Sequence, residues 1–412
     1  MRGAGDPLTV GERVAFYRRR RGLTQAVLAG LVGRSEDWLS KVERGEREIR
    51  RVDVLADMAK ALRVSLGDLL GQPVLTEDSS QGDDVPAVRD ALMSPRRLSR
   101  VLFATSADHP PVDLAAVGRA VEGAWTDYQG GRLGRTVAAL PGLIETAQHL
   151  EDTAVDAAPD YARGAWSASA RTHHLAATTL SKLGEADLSW IAAERAMQAA
   201  DRADDPLVLA SAARAGTHAL LEMGRFDDAV KLGETAASWL RQHLDQRDPA
   251  ALSLYGMLHL RTAVAAARRQ DRATATALIG VAARAADQLG YDGNHWQTGF
   301  GPTNVELHRL STALDLGDVA MVVEHGPAVR AENMPVERRV SHQIDVARAL
   351  HLTARDDDAL AMLLEAERAA PSLVRHNPKV RETVKTMTRR APATGGRSSA
   401  LLSLAERCRA VQ

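Results

Sequence analysis

A short turn motif returns along most of this chain at intervals of 37 to 53 residues, and it constrains the fold more than any other feature. Each copy has a glycine, or another residue in its place, ahead of an apolar segment, often with arginine and acidic residues between them. This pattern predicts helical hairpins that stack in series. The six copies are GGRLGRTV (130–137), LGEADLSW (183–190), MGRFDDAV (223–230), RQDRATAT (269–276), LGDVAMVV (316–323) and ARDDDALA (354–361).

A small residue recurs at a fixed distance from these turns. With Gly184, Gly224, Gln270 and Ala354 as turn positions, the residues twelve positions later are Ala196, Ala236, Ala282 and Ala366. A small side chain there lets two helices approach closely. The pattern resembles the tetratricopeptide repeat, which implies a tetratricopeptide-like α-solenoid over residues 87–390. An unrelated helical bundle is the alternative interpretation.

The composition favours the same fold class. Only 4% of the residues are aromatic, and alanine recurs in nearly every segment. Strands prefer aromatic and β-branched residues, whereas alanine is the best helix former. We therefore expect an all-α protein.

A separate helical unit is predicted over residues 8–71. Its apolar periodicity indicates five short helices. Gly33 suits a sharp turn between the second and third of them, and Ser35 suits the cap of the third. The predicted helices are Val10–Arg21, Thr24–Val32, Ser35–Arg44, Asp53–Leu62 and Leu66–Leu70. The predicted core is Val14, Leu23, Leu28, Leu31, Leu39, Val42, Leu55, Met58, Leu62, Leu66 and Leu69.

The segment GLTQAVLAGLVGRSEDWLSKVERGER (22–47) resembles the XRE or lambda-repressor-like helix-turn-helix family. The resemblance implies a five-helix DNA-binding domain whose third helix enters the major groove. The positions that match the family pattern are Leu23, Thr24, Gln25, Leu28, Ala29, Gly33, Ser35, Leu39, Ser40, Glu43 and Gly45.

The resemblance assigns DNA contacts to this segment. Thr24 caps the second helix, while Gln25 binds a phosphate and braces the recognition helix. The recognition helix begins at Ser35, and its outer face presents Glu36, Asp37, Ser40, Lys41 and Arg44. Arg47 and Arg19 complete the predicted DNA-binding set.

Several of these residues have a structural interpretation as well. Glu36 and Asp37 suit the positive end of a helix dipole, and acidic groups repel phosphate. The run Arg18–Arg21 is either a solvated face or, as we favour here, a phosphate contact. We expect Trp38 to pack over the third helix and Glu43 to pair with a nearby arginine.

Charge is distributed unevenly between the predicted parts. Residues 8–71 hold 13 basic and 9 acidic residues, a charge of +4, and residues 72–412 carry −5. A basic head of this kind indicates contact with double-stranded DNA. Residues 72–86, rich in acidic, small and proline residues, predict a flexible linker. Residues 398–412 predict a C-terminal capping or dimer helix.

The whole layout resembles the large XRE-type regulators of actinobacteria, and is similar to that of peptide-sensing quorum regulators. The segment HWQTGFGPTNVELHRLSTALDLGD (295–318) resembles one from the actinobacterial group. These resemblances imply a homodimer that binds a palindromic operator, with a peptide or small-molecule signal in the repeat groove. The alternative function is that of a helical-repeat protein–protein adaptor, or of a regulator that is controlled by a protein partner.

Unusual residues concentrate at one insertion, residues 291–304. It holds three of the fifteen aromatic residues and two of the four asparagines. Aromatic rings supply contact area and asparagine can pair with a peptide backbone. The candidate ligand contacts are Asn294, His295, Trp296, Gln297, Phe300 and Asn304, and the alternative is a long loop. Trp125, Tyr128, Tyr161 and Trp166 are either core residues or further groove residues.

Nothing in the sequence indicates catalysis. It has no HExxH, P-loop, GxSxG or CxxC motif, and its histidines lack metal-ligand spacing. We therefore predict a protein that is not an enzyme and has no metal site or cofactor. One cysteine, Cys408, and the lack of a long apolar run predict a cytoplasmic protein without a membrane span.

Overall fold

The computed structural model describes residues 9–21, 23–49, 51–62, 64, 69, 85–99, 102, 112–243, 248–390 and 399–410. The chain divides into two compact units, residues 1–89 and 90–412. Across the described residues the regular structure is helical, and the only β-type pairing is an isolated bridge between Gly293 and Phe300. The all-α prediction is confirmed.

The first unit, which we call the head, contains four described helices and their caps. Thr9 begins the first helix with a capping box to Glu12, and Thr24 and Ser35 cap the next two with their hydroxyl oxygens. The predicted helix 66–70 lies outside the described residues except for Leu69, which is buried. The helices are α1 (Val10–Arg20), α2 (Gln25–Leu31), α3 (Glu36–Glu43) and α4 (Val52–Leu62).

The head core follows the predicted apolar pattern with one error. Leu23 is half-buried against it, whereas Leu31 is 62% exposed and the prediction for Leu31 is wrong. Leu31 shares a face of α2 with Val27, one turn earlier and also exposed, and this short helix buries only Leu28 and Ala29. The predicted core residues found buried are Val14, Leu28, Leu39, Val42, Leu55, Met58, Leu62 and Leu69.

The second unit is a helical repeat of inner and outer helices, preceded by α5 (Val85–Leu92). Each inner helix packs against the outer helix that follows it and against the next inner helix. The inner helices are α6 (Leu114–Gln129), α8 (Pro159–Lys182), α10 (Pro206–Glu222), α12 (Pro249–Arg268), α14 (Pro302–Asp315) and α16 (Val336–Leu352). The outer helices are α7 (Leu133–Ala154), α9 (Ala186–Ala203), α11 (Phe226–His243), α13 (Arg272–Leu289), α15 (Val319–His325) and α17 (Asp356–Ala369).

The six predicted turns lie between the inner and outer helices. Each has a residue with left-handed backbone, which is why glycine dominates there and why Gln270 and Ala354 are exceptions. Of the alanines twelve positions later, Ala196, Ala282 and Ala366 are fully buried and Ala236 is half-buried. The left-handed residues are Gly131, Gly184, Gly224, Gln270, Gly317 and Ala354. These features confirm the solenoid prediction.

The solenoid closes on itself. Inner helix α16 contacts α6, so the sixth hairpin returns to the first. At Gly131, a Cβ atom would lie 2.7 Å from Ala370 Cβ and 3.4 Å from Val336 Cγ1, so the junction has no room for a larger residue. The inner helices therefore surround a shared interior.

The C-terminal helices cover one end of this unit. They are α18 (Pro371–Arg375), α19 (Pro378–Arg390) and α20 (Ser399–Arg407). Helix α20 packs on α19 and buries Leu401 and Leu404. Glu367 accepts hydrogen bonds from Arg375 at 2.7 Å and from Arg407 at 2.7 and 2.6 Å, which ties α20 to the last hairpin.

Candidate DNA-binding surface and interior ligand site

Helix α3 begins where the sequence predicts it. Gly33 has a φ of 63°, and Ser35 Oγ accepts a hydrogen bond from the Trp38 amide at 3.2 Å. Glu36 follows this cap in the first turn and is exposed, where its charge suits the helix dipole. Trp38 is half-buried against the head core, with the Arg34 guanidinium 5.5 Å from its ring centre. The packing predicted for Trp38 is confirmed.

The outer face of α3 carries cations in local, exposed ion pairs. Lys41 Nζ lies 2.8 Å from Asp37 Oδ2, one turn earlier, and their side chains are 45% and 72% exposed. The hydrogen bond from Lys41 lowers the pKa of Asp37. Arg44 pairs with Glu46 at 3.1 Å, and Arg47 is exposed beyond the helix. Exposed pairs of this kind contribute little to stability and can exchange partners.

The C-terminal end of α3 is held by a buried ion pair between Arg18 and Glu43. Arg18 donates two hydrogen bonds to the Glu43 carboxylate, at 2.6 and 2.8 Å, and a third to the Leu23 carbonyl at 2.9 Å. Gln25 Nε2 donates to Glu43 Oε2 at 2.7 Å. The side chains of Arg18 and Glu43 are only 12% and 6% exposed, and hydrogen bonding to Glu43 raises the pKa of Arg18.

This arrangement changes the interpretation of the basic run. Arg18 is occupied inside the head, so the favoured phosphate contact is wrong for this residue. Arg19 is exposed while its Nε donates to the Ala15 carbonyl at 3.1 Å, and Arg21 donates to the Ala61 carbonyl at 3.0 Å. The pairing predicted for Glu43 and the bracing role of Gln25 are both observed. The DNA contacts assigned to Thr24, Gln25, Ser35, Glu36, Asp37, Ser40, Lys41, Arg44, Arg47 and Arg19 stay predictions.

The second unit has a partly open cavity between its inner helices. A part of about 190 Å³ lies toward α14 and α16, and a second part of about 40 Å³ lies toward α6. His218, Arg261 and Arg338 line both parts, so the two parts adjoin at these residues. All six inner helices contribute to the lining. We call this space the interior cavity.

The interior cavity is rich in positive charge. Six basic side chains line it against three acidic ones, a difference of three. The basic residues are Lys182, Arg214, Arg261, Arg268, Arg338 and Lys379, and the acidic residues are Glu222, Glu337 and Asp345.

One ion pair crosses this interior between distant helices. Lys182 Nζ, at the end of α8, lies 2.5 Å from Glu337 Oε1 on α16, and Ser341 Oγ donates to the same carboxylate at 3.1 Å. Burial alone raises the pKa of Glu337. The charges of Lys182, Arg338 and Arg261 outweigh that effect and bring the pKa to about 2.

Three of the four cavity arginines, Arg214, Arg261 and Arg338, have no carboxylate partner among the described residues, whereas Arg268 pairs with Asp315 at 3.3 Å and with Glu222 at 3.5 Å. Arg214 is buried and donates to the Trp296 and Gln297 carbonyls at 3.3 and 3.4 Å. Burial and the charge of Arg261 lower the pKa of Arg214 to about 9. Among the described residues, Arg261 and Arg338 have no ion-pair partner, and burial followed by the Arg338 charge lowers the pKa of Arg261.

Three histidines on the inner helices lie in the same space. They are His174, His218 and His308, and all are buried. Burial lowers the pKa of each well below its usual value, and the nearby arginines lower it further. These rings are therefore neutral near pH 7 and add no positive charge to the cavity.

The insertion at 291–301 lies across the inner helices. Asn294 exchanges two hydrogen bonds with Gln129 on α6, at 2.8 and 3.1 Å, and Gln297 donates to Glu122 at 2.8 Å. Arg171 on α8 lies 5.3 Å from the Trp296 ring centre. Trp296 and Gln297 both have a φ of 52°, a backbone conformation that costs about 1–3 kcal/mol without glycine.

The structure separates the six predicted ligand residues. Gln297 and Asn304 line the interior cavity, whereas Asn294 and Trp296 hold the insertion on the inner helices. His295 accepts or donates a hydrogen bond with the Tyr291 hydroxyl at 2.9 Å. Phe300 is fully buried and packs on Gly256 of α12, so the prediction that it contacts a ligand is wrong. Its ring fills the core between α12 and the insertion.

The four aromatic residues predicted as either core or groove residues lie in different places. Trp125 and Tyr128 line the interior cavity, and both are buried. Trp166 instead stacks with Arg202 at 4.7 Å, and the Tyr161 hydroxyl accepts from the Val112 amide at 3.1 Å. Two of the four aromatic residues that the sequence offered as groove residues therefore line the cavity.

Sequence reasoning missed the cations of the cavity. A signal exists in two repeats, where polar residues stand ten and six positions before the turn glycine. These are His174 and Thr178 before Gly184, and Arg214 and His218 before Gly224. Such isolated polar residues on alanine-rich inner helices mark the side that faces the interior.

Comparison with known proteins assigns the head. Residues 9–70 match the family model described as "Helix-turn-helix domain". The chain therefore has an N-terminal helix-turn-helix domain followed by a long helical-repeat region. A search of curated proteins found no match.

Two solved structures resemble the chain at low identity. The first is Bacillus thuringiensis PlcR in complex with the peptide PapR7 and DNA, at 11% identity and a TM-score of 0.36, covering 88% of this chain and 98% of that chain. The second is ComR from S. thermophilus in complex with DNA and its signalling peptide ComS, at 14% identity and a TM-score of 0.28. It covers 74% of this chain and 99% of that chain.

Within the described ranges, no helix combines the length and apolar character needed to cross a bilayer. The same residues contain no group of three or more His, Cys, Asp or Glu side chains placed to hold a metal ion.

Proposed function

We propose that this chain is a sequence-specific DNA-binding transcription regulator whose repeat unit senses a ligand and dimerises. The observation that carries the proposal is the helix-turn-helix domain at 9–70, in which α3 presents exposed Lys41 and Arg44. A recognition helix with exposed basic side chains suits the major groove and its flanking phosphates. The partner is double-stranded DNA, and the site of action is the cytoplasm.

The local ion pairs on α3 support exchange with DNA. Lys41 and Arg44 each have a carboxylate close by, and each pair is exposed to solvent. When phosphates or base edges replace Asp37 and Glu46 as partners, counterions leave the duplex and affinity becomes strongly salt dependent. The buried Arg18 and Gln25 contacts to Glu43 hold α3 in place during this exchange.

The repeat unit supports the sensory part of the proposal. Its interior cavity is lined by all six inner helices and holds more cations than carboxylates. The insertion at 291–301 touches α6, α8 and α10 at once, so its position depends on how those helices are arranged. We propose that ligand binding moves this insertion and so changes the DNA affinity of a two-fold dimer on a palindromic operator.

The test begins with crosslinking of the tagged full-length protein to DNA in its host and recovery of the bound sites. Purified protein is then titrated with the recovered duplexes at two salt concentrations. We expect a few sharp sites that share an inverted repeat, and a steep fall in affinity with salt. Diffuse recovery by well-folded protein would favour the adaptor function instead.

Substitutions then locate the DNA surface. Lys41→Ala and Arg44→Ala should each weaken operator binding. Where the lost contact is to a phosphate, the slope of log affinity against log salt concentration should also fall by about one. Lys60→Ala is the matched control, because Lys60 is an exposed cation on α4 rather than on α3. Equal affinity of all three variants and the unchanged protein would refute the assignment of α3.

A further inference from the structure

The interior cavity holds more positive charge than its three carboxylates can neutralise. Lys182 and Arg268 have carboxylate partners, Glu337 at 2.5 Å and Glu222 at 3.5 Å. Arg261 and Arg338 have none in the described part of the chain, although they stand on α12 and α16 and line both parts of the cavity. Like charges enclosed together are unfavourable unless an anion binds between them.

Hydrogen-bonding atoms in the same space also lack partners. Asn304 is fully buried, and its Nδ2 donates to the Gly299 carbonyl at 2.8 Å, while its Oδ1 accepts no hydrogen bond from any described residue. His308 Nε2 and Arg338 Nε are likewise buried without a partner among the described residues. An unsatisfied buried polar group is costly and rare in native proteins, so it points to a missing ligand group.

The dimensions of the space suit a small molecule. The larger part measures about 190 Å³, close to the roughly 150 Å³ of an engineered cavity that accommodates benzene. Its wall contains Val264 and Ile344 as well as the charged residues. A single ring or a short chain therefore fits there.

We propose that the interior cavity binds a small organic anion, a carboxylate or phosphate, whose charged group lies between Arg261 and Arg338. A ligand that also carries an N–H or O–H gains a hydrogen bond to Asn304 Oδ1 in the smaller part of the cavity, in addition to the anion contact. This inference rests on the proposed function, since it names the chemical class of the ligand that the repeat unit senses. Bidentate hydrogen bonding by arginine suits both carboxylates and phosphates.

The probes are benzoate and phenyl phosphate, with benzamide and benzylamine as neutral and cationic counterparts of similar size. Each is titrated into the full-length protein by calorimetry, and the unfolding midpoint is recorded alongside. We expect saturable binding, with one ligand per chain, of at least one of the two anions and none of benzamide or benzylamine. The preferred anion distinguishes a carboxylate ligand from a phosphate ligand.

Three variants locate the binding site. Arg261→Gln and Arg338→Gln should weaken binding of the preferred anion about tenfold or more, because each loses a charge-assisted hydrogen bond. Arg241→Gln, on the exposed surface of outer helix α11, should bind as the unchanged protein does. Circular dichroism checks that each variant is folded, and Arg261→Met provides a second variant if Arg261→Gln is not.

Several outcomes would overturn the inference. Equal binding by all variants would show a general surface effect of the anion. Binding of an acidic peptide with no response to either small anion would exclude the small-molecule class, and no response to any probe would exclude an anion site. Operator affinity is measured on the same variants without ligand, so a failed anion site with intact operator binding leaves the proposed function standing.

Discussion

The outer face of α3 and the interior cavity both carry clustered cations, but they handle them in opposite ways. On α3, Lys41 is paired with Asp37 one turn away, and both side chains are exposed. In the cavity, Lys182 is paired with Glu337, which lies on a distant inner helix and is buried. The Lys41–Asp37 pair of the head is therefore exposed and can change partners, whereas the Lys182–Glu337 pair of the repeat unit joins two inner helices that are distant in the chain.

The difference shows what each region can bind. A large polyanion such as DNA needs a wide surface with weakly held cations, because it must displace their existing partners. A small anion needs a closed space with cations already unpaired, as Arg261 and Arg338 are among the described residues. Four substitutions test this contrast, and they are taken in order of decreasing effect.

Glu43→Ala should have the largest effect. It leaves Arg18 buried without its partner and removes the acceptor of Gln25. Breaking a buried ion pair costs about 3–5 kcal/mol, so we expect the head to lose most of its stability. Hydrogen exchange of the α3 amides, read by mass spectrometry, measures this loss within the full-length protein. Exposed Glu36→Ala is the control, and similar protection in both variants would show that the buried pair is unimportant.

Glu337→Gln should weaken the repeat unit in a pH-dependent way. The pKa of Glu337 is about 2 in the folded chain, below its usual value of 4.5, so the charged form stabilises the fold. The difference corresponds to about 3 kcal/mol, which is fully present above pH 4.5 and is lost as the pH falls toward 2. Urea unfolding of both proteins across this range should show a flatter pH dependence for the variant.

The buried histidines provide a separate acid effect. Their pKa values are lowered in the folded chain, so the fold favours neutral rings and loses stability as the pH falls below about 6.5. This loss should occur equally in Glu337→Gln and the unchanged protein, and in the control Glu324→Gln, whose glutamate is exposed on α15. A variant difference that already appears between pH 6.5 and 5 would contradict the role given to Glu337.

Arg261→Gln should have a small effect of the opposite sign. Burial and the charge of Arg338 both oppose the charged form of Arg261, which has no ion-pair partner in the described part of the chain. Replacing it should leave the free energy of unfolding unchanged or raise it by about 1 kcal/mol in the absence of ligand. Denaturant unfolding at low ionic strength measures this, and a clear destabilisation would reveal a structural role for Arg261.

Asp37→Asn should have the smallest effect and should act on DNA rather than on folding. It removes a negative charge from the outer face of α3 and releases Lys41. We expect operator affinity to rise a few-fold at low salt, with less gain at higher salt. Titration of one duplex at two salt concentrations checks this, with Glu36→Gln as the neighbouring control. Weaker binding by Asp37→Asn would show that Asp37 accepts a hydrogen bond from a base.

Local features were predictable from the residues alone. Thr24 and Ser35 cap their helices as expected, Gly33 has the left-handed backbone of a sharp turn, and the six repeat turns were placed correctly. These features depend on a few neighbouring residues, so the local sequence is enough to predict them. The errors at Leu31, Arg18 and Phe300 have another cause, since burial of each depends on residues distant in the chain.

The candidate ligand site shows the same division. The sequence drew attention to the insertion at 291–304 through its aromatic and asparagine content, and Gln297 and Asn304 do line the cavity. It did not reveal Arg261 or Arg338, because each stands alone on a helix and no local pattern relates them. Only the return of α16 to α6 brings these residues together.

The helical class, the helix-turn-helix head and the succession of hairpins follow from the residues alone, because helix propensity, capping and turn conformation are short-range properties. Which charged side chains are exposed and which are buried depends instead on the packing of helices that are distant in the chain. That outcome depends on how many hairpins complete the closed solenoid and on the angle each adds. For this reason alone, Lys182 and Glu337, which are 155 residues apart in the sequence, lie 2.5 Å apart in the structure.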